Sequence, residues 1–165
     1  MKSLTSSRNL AGGDENPKNL HSFGDRDGVS HDAKLQCPQA VHFIPEKNVV
    51  IVADTFNHKV KVLDPFRNEV FSWLGGSEST QTTLKDGITN AVAFNEPQSV
   101  SSLFDESRQD VKVYICDTNN HCIRVCHYDE GAVTTLALSG VPAAAVVEQR
   151  SPACGDISAK KRQAM

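Results

Sequence analysis

The sequence is poor in several features that mark whole classes of protein. Aromatic residues make up only 6% of its 165 residues, with one Trp and two Tyr. That is few for a surface that stacks the bases of single-stranded nucleic acid. Basic residues show no surplus, because 17 Lys and Arg stand against 20 Asp and Glu, a net charge of -3. No apolar run approaches the ~20 residues of a membrane-spanning helix. We therefore expect neither a membrane nor a nucleic-acid partner.

Motifs of common enzyme classes are also missing. The chain contains no Gly-rich phosphate loop, no Gly-x-Ser-x-Gly segment and no paired carboxylates at a credible site. Its five cysteines include no Cys-x-x-Cys pair, and residues 1–8 lack the apolar core of a secretory signal. We therefore expect reduced thiols in the cytosol, and no catalytic residue, metal or cofactor.

What the sequence does contain is an internal repeat. Three segments recur in order: Asp27–Val29 as Asp86–Ile88, Pro38–Val41 as Pro97–Val100, and Ala53–Val62 as Cys116–Val125. The first two pairs are 59 residues apart and the third is 63 residues apart, so the second copy carries four extra residues. We place them near residues 104–110, a polar stretch where a longer turn costs little entropy.

Within each copy the pattern is that of β-strands. The segments 59–62 and 122–125 alternate with period two, and runs of β-branched residues precede both. We predict eight strands, at residues 39–44, 48–53, 59–63 and 69–74 and at residues 98–104, 111–116, 122–128 and 132–138. Four short antiparallel strands that repeat at this period are typical of a propeller blade. The predicted fold is all-β, with two four-stranded antiparallel blades of an incomplete β-propeller.

The loop Asp-Thr-x-Asn-His joins the second and third strands of each copy. We expect its aspartates to accept N–H bonds from the turn that follows, and its asparagines to adopt left-handed backbone angles. Because the histidines recur at equivalent positions, structural histidines bonded within their loops are favoured over metal ligands, and a catalytic zinc would need a third protein ligand. The residues with this predicted structural role are Asp54, Asn57, His58, Asp117, Asn120 and His121.

The same loop length suggests a redox hypothesis. If five residues, 54–58 or 117–121, close each hairpin, then Ala53 lies opposite Lys59 and Cys116 lies opposite Cys122. Opposed antiparallel residues have Cβ atoms ~4.5–5.5 Å apart, so a disulfide between these two cysteines is within reach. The alternative is a pair of ordinary, half-buried small residues.

The repeated segments resemble NHL repeats. The two copies read A-D-T-F-N-H-K-V-K-V and C-D-T-N-N-H-C-I-R-V. Together with flanking segments they resemble the last blades of the NHL-repeat-containing protein 2 family, over about residues 10–140. The flanking segments are Leu10–Pro17, Phe23–Val29, Ala33–Pro38 and Phe94–Pro97. The chain departs from the family pattern at Ala40 and Ser99, where Pro-x-Gly has its glycine, and at Lys59 and Cys122, where Asn-His-Leu has its leucine.

The resemblance implies a six-bladed propeller between a thioredoxin-like domain and a small β-rich C-terminal domain. Two of these blades are recognisable here. We divide the chain into a disordered N-terminus (1–9), a first blade with its lead-in (10–76), a second blade (77–140) and a disordered tail (141–165). A propeller needs about four to eight blades, and two blades leave a face and strand edges uncovered. We therefore expect a fragment, a truncated gene product, or a chain that completes itself by self-association.

The resemblance implies a non-catalytic scaffold for an unidentified protein partner, in which rigid strands present variable loops. An alternative is part of a thioredoxin-like/NHL thiol–disulfide oxidoreductase whose catalytic domain is absent from these residues. A third is RNA binding, as in some tripartite-motif proteins, through a basic strand face of Lys59, Lys61 and Arg124. Interspersed acidic residues favour a solvated or inter-blade face over RNA binding. The loop acids, Asp27 and Asp86 among them, lack the spacing of a calcium loop.

Overall fold

The computed structural model describes residues 9–16, 18–76 and 84–137. These residues form two antiparallel five-stranded sheets, one from each copy of the repeat. The expected disordered segments lie outside the described residues, apart from Asn9.

The two sheets have the same topology. The first contains β1 (Gly28–Val29), β2 (Pro38–Ile44), β3 (Val49–Asp54), β4 (Lys59–Asp64) and β5 (Glu69–Leu74), in the spatial order β1-β5-β4-β3-β2. The second contains β6 (Gly87–Ile88), β7 (Pro97–Asp105), β8 (Asp110–Asp117), β9 (Cys122–His127) and β10 (Ala132–Thr135), in the order β6-β10-β9-β8-β7. Short 3-10 turns lie at Ser30–Asp32, Thr55–Asn57, Thr89–Ala91 and Thr118–Asn120.

The all-β prediction is confirmed, and each of the eight predicted strands begins within one residue of an observed strand. The difference is a fifth strand in each sheet. In the first sheet, β1 pairs Gly28 with Val70, and in the second, β6 pairs Gly87 with Val133. Two residues are too few to produce a period-two pattern, so these strands left no trace in the hydropathy of the sequence.

The four-residue insertion does not enlarge a turn as we expected. The turns after β2 and β7 both span four residues, 45–48 and 106–109. Instead, β7 has 9 residues against 7 in β2, and β8 has 8 against 6 in β3. The insertion therefore lengthens both strands of one hairpin by two residues, which keeps the alternation of faces unchanged.

One hydrophobic cluster joins the two sheets. It takes β-branched and small residues from β3 and β4 and packs them against β8, together with two residues from the segment before β7. Its fully buried members include Ile51, Ala53, Val60, Val62, Phe94, Val111, Val113 and Ile115. The opposite face of the first sheet has a smaller cluster, formed by Ala33, Val52, Leu63 and Val70. Strand β3 is thus covered on both faces, which explains its near-continuous apolar sequence.

A glycine fixes the path between the two copies. Gly75 has φ +99°, a conformation that favours glycine, and a Cβ there would lie 2.9 Å from the carbonyl oxygen of His58. Its N–H donates to the carbonyl of Thr89 at 3.2 Å. The end of the first sheet is therefore tied to the segment that leads into the second.

Candidate interaction site: motif loops and sheet faces

The motif aspartate of the first copy binds a segment far away in sequence. Asp54 is fully buried, and its Oδ1 accepts the N–H of Gln36 at 2.7 Å. Its Oδ2 accepts from Nδ2 of Asn57 at 2.8 Å. Burial raises the pKa of Asp54, and these bonds together with Lys61 offset only part of that rise. The carboxylate thus joins the motif loop to the segment that precedes β2.

The second copy repeats this arrangement. Asp117 is also fully buried, and it accepts the N–H of Asn95 at 2.7 Å and Nδ2 of Asn120 at 2.9 Å. We expected each aspartate to accept backbone N–H bonds from the turn that follows it; instead the backbone N–H comes from the lead-in, and the turn is bound through the side-chain amide of its asparagine. The turn is closed by its own backbone, so the side chain is free to hold the lead-in.

The left-handed residue of each loop is the histidine. His58 has φ 54° and His121 has φ 55°, each just after a 3-10 turn. We predicted Asn57 and Asn120 for this conformation, and that prediction is wrong. The asparagines lie inside the 3-10 turns, where their side chains bind the aspartates.

The first motif loop also contacts the second sheet. Nδ1 of His58 accepts the N–H of Glu96 at 3.0 Å, and Oγ1 of Thr55 donates to the carbonyl of Pro97 at 2.8 Å. His58 therefore has a structural role, but its bond crosses to the next sheet instead of staying within the loop. The equivalent His121 is exposed, and Oγ1 of Thr118 donates to a carbonyl of its own blade, that of Cys116, at 3.4 Å.

The two histidines provide a matched pair of variants. We expect His58→Ala to lower the free energy of unfolding by about 1 kcal/mol more than His121→Ala, since only His58 accepts a hydrogen bond from the next sheet. Both variants place alanine in the same left-handed backbone conformation, so the cost of backbone strain is equal in the two variants and cancels in the comparison. Urea denaturation followed by circular dichroism measures the difference. Equal losses would contradict the inter-sheet role of His58.

The basic residues of the strands are buried in ion pairs. The Lys61 side chain has 0% exposure, and its Nζ lies 2.7 Å from Asp25 and 3.1 Å from Asp27. Lys59 is nearly as buried and pairs with Asp25. Arg124 also has 0% exposure. The three basic residues therefore do not form an exposed strand face, and the interpretation as an RNA-binding surface loses its structural basis.

Arg124 uses its planar fork to hold four acceptors. Its guanidinium nitrogens lie 2.7 Å from carboxylate oxygens of Asp117 and Asp86. They also donate to the carbonyls of Ala93 at 3.1 Å and Lys85 at 2.8 Å. Arginine suits this position because its donors are fixed in geometry and its charge is delocalised. The lead-in and the motif loop of the second copy thus meet at one buried cation.

Electrostatics keep the Lys61 site ionised. Burial alone would lower the pKa of Lys61, but Asp25 and Asp27 raise it overall. Burial alone would also raise the pKa of Asp27, but hydrogen bonds from Ser72 and Lys61 lower it overall. A nucleophilic lysine needs a lowered pKa. The direction of these shifts is that of a structural ion pair.

The acidic partners of these cations were missed at the level of sequence. Asp27 and Asp86 were assigned to loops without a role, yet they bind Lys61 and Arg124. Each also accepts a backbone N–H from the last strand of its sheet; for Asp27 the donor is Ser72, at 2.8 Å. A usable signal exists, because both aspartates and both basic residues recur together in the repeat.

The strand register separates the two cysteines of the redox hypothesis. Cys116 pairs with Ile123, and Asp117 pairs with Cys122. Successive residues of a strand point to opposite faces, so Cys116 and Cys122 lie on different sides of the sheet. The predicted opposition of these cysteines is wrong by one residue, because Asp117 extends the strand and shortens the loop.

The reactivity of the cysteines tests the burial of their thiols and the register of the strands. Among the described residues Cys37 is exposed, whereas Cys126 is buried with its pKa raised to about 12, mainly by burial. Since the thiolate is the reactive form, we expect iodoacetamide at pH 8 to label Cys37 in the native protein and Cys126 only after unfolding. Peptide mass spectrometry reads both sites. After mild oxidation we expect no crosslink between Cys116 and Cys122; its appearance, or equal labelling of Cys37 and Cys126, would contradict the observed register and burial.

The chain is similar in sequence to known proteins. No family model matches the chain. Over 131 residues, 79% of its length, the chain is 37% identical to NHL repeat-containing protein 2 of Homo sapiens, and it is 34% identical to the Gallus gallus protein over 131 residues. The matched region belongs to the NHL repeat-containing protein 2 family. The chain spans 17% of the length of these relatives.

The chain is also similar to other proteins. The chain is 33% identical over 139 residues, 82% of its length, to Protein SUPPRESSOR OF QUENCHING 1, chloroplastic, of Arabidopsis thaliana, and spans 12% of that protein. Its fold resembles that of an auxiliary nutrient binding protein from Bacteroides ovatus, with TM-score 0.54 and 27% identity, over 70% of this chain and 27% of that one. A second such protein, from Bacteroides thetaiotaomicron, gives TM-score 0.50 and 23% identity over 64% of this chain and 26% of that one. The two sheets are NHL-type propeller blades.

Within the described ranges, no helix has the length and apolar character needed to cross a bilayer. The same residues contain no group of three or more His, Cys, Asp or Glu placed to hold a metal ion.

The two NHL blades differ in how one face is covered. On the first blade, Ile51, Ala53, Val60 and Val62 are fully buried by the second blade. The equivalent residues of the second blade are only half-buried or exposed, and Ile123 is 38% exposed. We call this surface the open face and define it by Leu103, Tyr114, Cys116, Ile123 and Val125.

The first NHL blade also has an uncovered surface, on the side that faces away from the second blade. Val41 is 68% exposed, whereas the equivalent Val100 of the second blade is 6% exposed, and Phe43 is 47% exposed. Pro38 is exposed where Pro97 is buried. We call this surface the front face and define it by Pro38, Val41 and Phe43. Each end of the two-blade unit therefore presents apolar residues that a neighbouring blade would cover.

Proposed function

We propose that this chain is a non-catalytic protein-interaction scaffold, a rigid pair of NHL blades whose open face receives a protein partner. The observation that carries this proposal is the contrast between the two blades at equivalent positions. Val60 is fully buried, while the equivalent Ile123 is 38% exposed. A contiguous group of exposed apolar residues is typical of a surface that binds another protein.

The polar groups of the motif favour a scaffold over an enzyme. Asp54, Asn57 and His58 bind the lead-in and the next blade, and Lys61 and Arg124 are buried in ion pairs. A catalytic acid or base must reach the reacting group of a substrate, and these side chains are directed at backbone and at one another. Burial also makes Lys61 and Arg124 unavailable to nucleic acid, so the proposed partner is a protein.

A disulfide-reduction assay tests the non-catalytic part of the proposal. We expect the chain to leave the rate of insulin reduction by dithiothreitol at that of the reaction without protein. Bovine serum albumin serves as the inert control. Acceleration would overturn the proposal in favour of a thiol–disulfide oxidoreductase, and the cysteine responsible would follow from Cys→Ser variants.

Site-specific photocrosslinking tests the interaction surface. We would place benzoylphenylalanine at Ile123 on the open face and, as a control, at Phe66, which is 77% exposed in the turn after β4. In cells we expect a protein adduct from position 123 that is absent from position 66, and we expect Val125→Asp to abolish it. Adducts from neither position, or equally from both, would overturn the proposed surface.

We also propose a reducing compartment such as the cytosol. The four cysteines in the described part of the chain are free thiols, and Cys116 and Cys122 lie on opposite faces of their sheet. Reduced thiols are typical of proteins that remain in such a compartment.

A further inference from the structure

The contact between the two blades defines which surfaces are complementary. One face of the first blade, with Ile51 and Val62, packs against the face of the second blade that carries Val100 and Val113. Polar contacts between the blades accompany this packing, among them His58 with Glu96, Thr55 with Pro97, His42 with Ser102 at 2.9 Å, and the ion pair of Lys47 with Asp129 at 2.7 Å. The contact therefore joins two different surfaces, which makes it heterologous.

Both halves of this contact recur uncovered on the same chain. The open face is the repeat-equivalent of the surface around Ile51, and the front face is the repeat-equivalent of the surface around Val100. The polar positions recur as well. His121 and Thr118 stand where His58 and Thr55 make their bonds to the second blade, and Cys37 has φ 51° where Glu96 has φ 52°.

We propose that the open face of one copy of this chain docks on the front face of a second copy, head to tail, in the geometry of the internal blade contact. This rests on the proposed function, because it names the partner of the open face. His121 then accepts the N–H of Cys37 from the second copy, as His58 accepts that of Glu96. Each added copy contributes its two described blades, and a heterologous contact of this kind closes when the rotation completes a ring.

A segment of the first blade regulates access to the front face. Leu10–Gly13 repeats Trp73–Gly76, and the N–H of Gly12 donates to Ser30 at 2.9 Å, as Gly75 does to Thr89. Ala11 packs on the small buried cluster of the first blade. An incoming open-face blade brings its own equivalent, Ala137, to this place. Docking therefore displaces residues 10–13, and this competition weakens association.

Complementation between two variants tests the proposal on the full chain. We expect light scattering after size exclusion to show a molar mass that grows with concentration for the unmodified chain. Ile123→Asp disables the open face and Val41→Asp disables the front face, so each variant alone is expected to be monomeric. Mixed in equal amounts they are expected to form a dimer that extends no further, since each retains the face that the other lacks.

Control variants distinguish this contact from nonspecific hydrophobic association. Phe66→Asp, in an exposed turn on neither face, is expected to associate like the unmodified chain. Circular dichroism confirms that each variant is folded, and Ile123→Ser and Val41→Ser replace any aspartate variant that is not. Ala11→Asp, which dislodges the competing segment, is expected to raise the associated fraction at a given concentration.

Four results would overturn the inference: a monomeric unmodified chain up to millimolar concentration, a mixture of the two variants that stays monomeric, loss of association in Phe66→Asp, or no gain in Ala11→Asp. None of these decides the proposed function by itself. If the photocrosslink at position 123 joins a different protein while the chain stays monomeric, the scaffold proposal stands and the second copy is excluded as its partner.

Discussion

Replacing Arg124 with alanine is expected to lower the free energy of unfolding by about 3–5 kcal/mol, a large part of the stability of a small domain. Arg124 and its partner Asp117 both have 0% exposure. Alanine leaves the aspartate buried without its cation, and it also frees the carbonyls of Ala93 and Lys85. Urea denaturation measures the loss.

Two further variants show whether the buried cation is the cause. Arg67→Ala removes an arginine whose side chain is 75% exposed and 3.8 Å from its acidic partner, so we expect a change of about 0–1 kcal/mol. Arg124→Lys keeps the charge, as Lys61 does at the equivalent position of the first blade. It should cost less than alanine but still destabilise, because an ammonium lacks the fork that reaches both carbonyls. A loss in Arg124→Ala no larger than that in Arg67→Ala would refute the assignment.

The strands and the family could be predicted from sequence because the repeat supplied two independent copies of each pattern. Segments 49–53 and 111–116 are rich in β-branched residues, and their recurrence at the same place in both copies located these strands. The two-residue strands β1 and β6 could not be found this way. They recur in the sequence, but pairing over two residues is a tertiary event with no local periodicity.

The register of the motif hairpins could not be derived from loop length alone. Asp54 extends β3 and pairs with Lys59, so four residues close the hairpin instead of five. A one-residue slip moves every following side chain to the other face of the sheet. This is why Cys116 and Cys122 were expected to face each other and lie on opposite sides instead.

The site was hard to predict because its bonds join residues distant in sequence. Lys61 lies 34 residues after Asp27, and Arg124 lies 38 residues after Asp86. A strand with period-two charges looks like a solvated edge when considered alone. In a propeller both faces of a blade are covered, so such charges are buried and need acidic partners from the lead-in.

The largest expected effect on packing comes from Phe94, which lies in the lead-in of the second blade and is fully buried. It belongs to the cluster between the blades, and the guanidinium carbon of Arg124 lies 5.2 Å from its ring centroid. Phe94→Ala leaves a cavity in the core, and such a substitution lowers the free energy of unfolding by about 3–5 kcal/mol in comparable cores. It also strips a ring from a buried cation, an interaction worth up to about 2 kcal/mol when desolvated.

The matched control is Phe66→Ala, because Phe66 is 77% exposed in a turn and its removal should change stability by about 0.5 kcal/mol or less. Combining Phe94→Ala with Arg124→Ala should cost less than the two single losses added together, since residues in contact are coupled. A double-mutant cycle by urea denaturation measures this coupling, with Arg124→Lys in place of Arg124→Ala if the double variant does not fold. Strict additivity would mean that the ring and the cation stabilise the blade independently. The lead-in would then not connect the inter-blade cluster energetically with the buried ion pair.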